Sequence, residues 1–257
     1  MPVKTLFHIV PRLRPQADGA GDYAFNLARE LRASYGIQSQ FIVCDPKRDG
    51  PSRLDNFVVQ RLRVKNEAGI WNLLAPANGL DTAVLFHYCP YGYHKQGLPV
   101  WLYRGIKSWQ EEHIGTNIMD SKHLITVFHE TLQSPLKPWN KEFCLRALQK
   151  WLLHQFHRHS QFSVTNDHAL QALLYNIMPH KTMWSPMPRH MAATSEHIQD
   201  WKFIARQYNE VLHQDLLGVK TSELPDRLKE NIQRAPPVYA SGIKTVESPV
   251  ARLQRPA

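Results

Sequence analysis

Glycine nearly disappears from the second half of this 257-residue sequence: ten of its twelve glycines stand at or before Gly115, and only Gly218 and Gly242 follow. A glycine-bearing phosphate loop has no material there. Cysteine is as sparse. Cys44, Cys89 and Cys144 are widely spaced and form no CxxC pair, which excludes a disulfide framework and a structural zinc site and leaves a reducing cytoplasm as the expected compartment. No window reaches the roughly 18 consecutive apolar residues that a membrane span needs. The apolar run in MPVKTLFHIVPRLR is too short for a signal peptide, so any membrane contact is expected to be peripheral. Neither GxGxxG nor GxxxxGK[ST] occurs, and there is no internal repeat.

What is present fits a globular chain. With 43% hydrophobic and 21% charged residues the sequence can bury one large core or two modest ones. Its 31 Lys plus Arg against 22 Asp plus Glu give a formal charge of +9, which favours anionic partners: nucleic acid, acidic lipid surfaces or phosphorylated small molecules. The basic clusters are short and dispersed, as in Arg61, Arg63 and Lys65, so nucleic acid ranks last among them.

The stretch 18–32, DGAGDYAFNLARELR, joins a strand-like opening, TLFHIV, to an amphipathic helix read as starting near Asp22. Gly19 and Gly21 permit close backbone approach, and the free N–H groups of the helix start could hold a phosphate or a sugar hydroxyl. The same residues also suit an ordinary turn with Asp22 as helix cap, and spacing alone does not separate the two. Downstream, residues 40–44 read as a second strand, 57–64 as an edge strand, 70–74 as a short helix and AVLFH (83–87) as a buried strand. That last strand runs into an aromatic loop, YCPYGYHKQG. Tyr91 and Tyr93 flank Gly92 at the strand's expected C-terminal end, where open α/β sheets bind ligands, although three tyrosines in one loop also suit packing.

Residues 98–109 read as a helix covering a sheet, with an aromatic and basic membrane-surface helix as the rival. Residues 124–128 form a strand ending at His129 and Glu130, where a histidine could act as acid, base or sugar-binding group. Helix 141–158 carries Leu145, Leu148, Leu152 and Phe156 as its buried stripe and ends in HQFHRHS, whose histidines suit a helix C-terminus better than a metal. Residues 161–164 read as the final strand. A proline-bearing connector follows, then a helix burying Ile198, Trp201, Ile204, Tyr208, Val211 and Leu212. From Gly218 on, five prolines, one aromatic and frequent charges predict a poorly ordered tail.

Taken in order, DGAGDYAFNLARELR, FHYCPYGYHKQGLPVWLYRGI, ITVFHE and a tryptophan-bearing stretch before the long helix resemble the N-terminal half of family 4 glycosyltransferases with the GT-B fold, over roughly residues 5–175. DWKFIARQYNEVL looks like the helix that crosses back onto that half at the end of such enzymes. The resemblance implies a single Rossmann-like parallel sheet flanked by helices, with a helical C-terminal extension. It also implies a role on the acceptor side of hexosyl transfer from a nucleotide sugar to a hydroxyl acceptor, with no metal and no other cofactor. Gly19 and Gly21 match the family's glycine loop beside Asp22. His129 matches a histidine near the transferred sugar, where it would orient and polarise rather than act as a base. Tyr91, Tyr93 and Glu130 would line the acceptor side.

The departure from that family lies beyond Tyr175. About twenty-five residues separate it from the returning helix, against roughly 100 or more for a donor-binding Rossmann domain. No two glutamates stand eight positions apart, as the family's glutamate pair requires. The expected organisation is therefore an acceptor-side domain over 1–178, a connector and returning helix over 179–217, and the tail over 218–257. The nucleotide-sugar lobe would come from a donor-domain partner. The rival reading is a non-catalytic remnant that binds a glycan or a partner.

Overall fold

TLFHIV is apolar on both faces, and a strand of that kind is stable only when both faces of its sheet are covered. It becomes β1 (Thr5–Val10), whose residues from Leu6 onward are buried. The computed structural model describes residues 3–14, 19–46, 50–79, 81–112, 123–129, 141–178, 181–186 and 198–215. Around β1 these build an α/β layer sandwich on one sheet. Its other strands are β2 (Gln38–Val43), β3 (Arg53–Leu54), β4 (Phe57–Arg61), β5 (Thr82–Tyr88), β6 (His123–Phe128), β7 (Phe162–Thr165) and β8 (Thr182–Trp184). The spatial order is β3-β4-β2-β1-β5-β6-β7-β8. All pairings are parallel except β3 with β4, so the architecture is Rossmann-like.

The helices are α1 (Gly19–Tyr35), α2 (Glu67–Leu74), the single turn α3 (Pro90–Tyr93), α4 (Val100–Glu111), α5 (Lys141–His159), α6 (His168–Ile177) and α7 (Ile198–Asp215). One face of the sheet packs Phe7, Ile9, Val84, Phe86, Leu124 and Phe128 against Ile70 and Leu74 of α2, Leu102, Ile106 and Trp109 of α4, Leu152 and Phe156 of α5 and Leu170 of α6. The opposite face packs Leu6, Leu85, Ile125, Val127, Val164 and Met183 against Tyr23, Leu27 and Leu31 of α1 and Trp201, Ile204, Tyr208 and Leu212 of α7. Apolar faces covered on both sides are what hold an all-parallel sheet together.

Local chemistry sets the ends. Asn66 accepts from the Gly69 N–H to cap α2, and Asp167 accepts from Ala169 and Leu170 to cap α6. Gly36 ends α1 in the left-handed region, at φ +68°. Asp55 and Asn56 both take positive φ between β3 and β4, a tight hairpin turn that these two residue types tolerate.

Four expectations change. The helix after β1 starts at Gly19, so both glycines lie inside its first turn; Asp22 is a first-turn acid, not the cap, and its carboxylate accepts from Arg14 Nε at 2.7 Å. The strand read over 57–64 stops at Arg61 and is shielded from the edge by β3. β7 is not the last strand: TMW, read as connector, adds β8 beyond residue 178. In α5, Leu148 and Trp151 are exposed and the inward position is Gln149, bonded to Tyr91 Oη and to the Gln96 carbonyl. At Gln149 that helix therefore meets the loop after β5 rather than the sheet.

The surface-helix rival for 98–109 falls as well, because Leu102, Ile106 and Trp109 are buried in the core and Trp109 Nε1 donates to Asn78. Among the described residues no helix is long and apolar enough to cross a membrane. The tail over 218–257 lies outside the described residues, as do Asp18 and Glu130.

Candidate functional site

The strand order reverses direction at β1: the chain moves outward to β2 and β4, then returns past β1 to β5 and onward to β8. In parallel sheets a crevice opens at such a switch, beyond the C-terminal strand ends. Here the loops leaving β1, β2, β4 and β5 enclose a cleft of about 720 Å3, lined by Arg12, Asp45, Lys65, Tyr91, His94 and Lys95 among others. Arg12 Nε lies 3.5 Å from the Asp45 carboxylate, and Lys65 Nζ donates to the Tyr93 carbonyl at 3.1 Å. His94 Nδ1 lies within hydrogen-bond distance of the Gln96 and Leu98 N–H groups and so fixes the loop's return.

The two walls of the cleft touch at Gly92, where a Cβ would meet Pro11 at 2.9 Å, closer than side chains approach. At the cleft it is this glycine that must lack a side chain, whereas Gly19 has open space around its Cβ position. The tyrosines beside it divide their roles. Tyr91 is 47% exposed and presents its ring to the cleft, while Tyr93 is buried and donates to the Ile9 and His87 carbonyls. Tyr93 is thus an anchor of the loop and can offer a ligand little more than a ring edge.

His129 lies elsewhere along the same sheet edge. Its backbone N–H donates to the Tyr88 carbonyl, extending the β5–β6 pairing by one residue. The half-buried ring borders a separate crevice of about 10 Å3 with Tyr23, Thr165, Asn166 and Ser185, roughly the room one water requires. The structure therefore keeps His129 apart from Tyr91: the two cavities share no lining residue. Tyr23, in the first turns of α1, meets the His129 ring edge-on at 5.1 Å and is itself covered by Trp201 at 5.3 Å. Tyr23 Oη donates to Tyr208 Oη at 3.3 Å. Burial, only partly offset by the hydrogen bonds to Tyr208 and Ser185, raises the Tyr23 phenol to about 12, so it stays protonated.

Behind His129 lies a feature that sequence reading missed. His129 Nε2 is 2.9 Å from His87 Nδ1, His87 Nε2 is 3.2 Å from His8 Nδ1, and His8 Nε2 is 3.1 Å from Ser39 Oγ. Ser39, His8 and His87 are buried within the sheet. Desolvation lowers His8 to about 3 and His129 to about 4; it also takes His87 well below its usual value, with both neighbouring histidines adding to the effect. All three rings are neutral near pH 7.

Two of the histidines at the end of α5 have structural roles. His157 Nδ1 bonds Ser163 Oγ at 2.7 Å, and His159 Nε2 bonds Tyr103 Oη at 3.2 Å. Among the described residues no group of three or more His, Cys, Asp or Glu side chains could hold a metal ion. Compared with known proteins, the chain matches no family model and no curated sequence.

Proposed function

We propose that this chain is a glycosyltransferase-like acceptor-side domain that binds a hydroxylated, anionic small molecule in the cleft at the sheet's switch point. The transfer it would serve is that of a hexose from a nucleotide sugar to a hydroxyl. One observation supports this most: a cleft of about 720 Å3 at the C-terminal strand ends combines three cationic side chains, Arg12, Lys65 and Lys95, with an exposed aromatic ring, Tyr91. Guanidinium and ammonium groups suit phosphate or carboxylate oxygens, and a tyrosine face suits the C–H face of a sugar. The basic balance of the whole chain agrees with an anionic ligand.

A second reading has its own observation. The crevice at His129 has room for about one water, and the described residues contain one sheet and not two. That favours a binding domain that captures a glycan or sugar phosphate without transferring it, or that acts only with a donor-domain partner. Chemical-shift mapping with a hexose phosphate tests both. Shifts centred on Arg12, Lys65, Tyr91 and Lys95 support the cleft, and shifts reaching His129 and Tyr23 as well favour transfer over simple binding. Shifts absent from the cleft would remove the proposal.

A further inference from the structure

The row Ser39, His8, His87 and His129 crosses four neighbouring strands on the face covered by α1 and α7. His8 belongs to β1, Ser39 to β2 and His87 to β5, and His129 follows directly on β6. The row runs diagonally across the sheet: Ser39 pairs with Leu6, His8 with Leu85 and His87 with Val127, so each histidine lies two residues beyond the register partner of the member before it, a separation that long side chains bridge. The ring centroids are 5.5 and 5.2 Å apart and the rings tilt by only 14° and 21°. Each centroid distance exceeds the corresponding nitrogen–nitrogen distance by about 2.3 Å, two ring radii, so the rings meet edge to edge as N–H···N bonding requires and not face to face. The nitrogens pair end to end instead of converging, so the row is not a metal cage.

Such a row of neutral rings can run in two directions, and its inner end decides which. Ser39 Oγ is buried, and His8 Nε2 is the partner of its hydroxyl among the described residues. Were His8 the donor, the Ser39 hydroxyl proton would be buried with no acceptor, a costly arrangement. Ser39 must therefore donate to His8 Nε2. Each neutral ring has one proton, so His8 donates from Nδ1 to His87 Nε2, and His87 donates from Nδ1 to His129 Nε2. His129 is left with its proton on Nδ1.

We infer that Ser39, through His8 and His87, fixes His129 as a neutral hydrogen-bond donor toward the crevice. In this arrangement His129 has no lone pair to offer. It cannot take a proton from a hydroxyl, and the ligand atom it suits is an acceptor oxygen, as in phosphate, carboxylate, carbonyl, ether or a hydroxyl whose own proton is donated elsewhere. Burial reinforces the arrangement by keeping an imidazolium from forming anywhere in the row. Ser39, His8 and His87 are thus positioning residues acting through His129. The inference concerns the chain without ligand and does not depend on the sugar-transfer reading.

Long-range 15N–1H correlation spectra of the uniformly labelled full chain at pH 7.5 test it directly, because protonated and bare imidazole nitrogens resonate in separate regions. The expected pattern is Nδ1 protonated and Nε2 bare at His8, His87 and His129 alike, the tautomer that a free histidine side chain disfavours. Ser39→Ala removes the anchoring donor and is expected to bring protonated Nε2 into the His129 signal, while Ser39→Thr, which keeps the hydroxyl, is expected to restore the native pattern. A merely structural serine would move none of these tautomers. His129 protonated on Nε2 in the native chain overturns the inference, as does a Ser39→Ala spectrum with all three tautomers unchanged. If Ser39→Ala does not fold, the native spectrum alone decides.

Discussion

Acidification is the perturbation to which this fold responds most specifically, because three linked imidazoles are held neutral inside it. In the unfolded chain a histidine takes up a proton near its ordinary pKa of about 6.5; in the fold His8 does so only near 3 and His129 near 4. The stability tied to these groups is therefore fully present above about pH 6.5 and is lost as pH falls through the window toward 4 and 3. At pH 5 the unfolded state has had about 1.5 pH units in which to gain from protonating His8, worth about 2 kcal/mol at roughly 1.4 kcal/mol per unit. His87 acts in the same direction, and no carboxylate among the described residues pairs with any of the three. Since whole domains are stable by only about 5–15 kcal/mol, this loss is large. Urea unfolding at fixed pH from 7.5 to 4.5 measures it. The midpoint should hold steady down to about pH 6.5 and then fall, and His8→Gln should reduce the slope below pH 6 by up to about 1.4 kcal/mol per pH unit. A midpoint constant from pH 7.5 to 5, or a slope that His8→Gln leaves alone, would refute the reasoning.

Further outcomes follow from single contacts. Trp201→Ala opens a cavity between α7 and Tyr23 and should cost about 3–5 kcal/mol in thermal or urea unfolding; a cost below 1 would mean that α7 is not part of the core. Gly92→Val forces the loop after β5 away from Pro11 and is expected to destabilise by about 1–3 kcal/mol while weakening ligand binding in the cleft. Asp167→Ala removes the cap of α6 and should cost about 1 kcal/mol, measurable from the urea midpoint. His129→Ala leaves the His87 Nδ1 proton without its partner and should cost about 1–3 kcal/mol in urea unfolding.

The parallel sheet was readable because its central strands announce themselves as short apolar runs and its helices repeat apolar residues at helical spacing: Phe25, Leu27, Ala28 and Leu31 in α1, and Trp201, Ile204, Tyr208, Val211 and Leu212 in α7, are buried as the pattern implies. β8 was not readable, since three residues set among prolines have no period to detect. The start of α1 was misread because glycine signals turn and helix start equally well, and only the Arg14 pair and the turn above it settle Asp22. Leu148 looked buried because the spacing of α5 is blind to the loop after β5, which takes Gln149 instead.

The site was legible in its parts and not in its grouping. Tyr91 and His129 both stand at strand ends as their positions suggest, yet which cavity each borders depends on how far apart β5 and β6 deliver their loops. The histidine row was invisible for the same reason. His8 and His87 sit inside TLFHIV and AVLFH, runs that read as plain buried strands, and they are brought together across 79 residues by the pairing of β1 with β5. An isolated histidine in each apolar run was the one available signal, and it gains meaning only with a partner strand.

The most direct test of the account is calorimetric titration of the full chain with a hexose phosphate, the uncharged hexose and a nucleotide sugar, each repeated with the Arg12→Ala/Lys65→Ala double variant. The anionic sugar is expected to bind with an affinity that falls as salt rises and drops at least tenfold in the variant, about 1.5 kcal/mol or more, while the uncharged hexose binds more weakly. Tight nucleotide-sugar binding by the chain alone would defeat the non-catalytic reading. No heat from any of the three, or equal binding by the native chain and the variant, would contradict the central claim that the switch-point cleft is the ligand site.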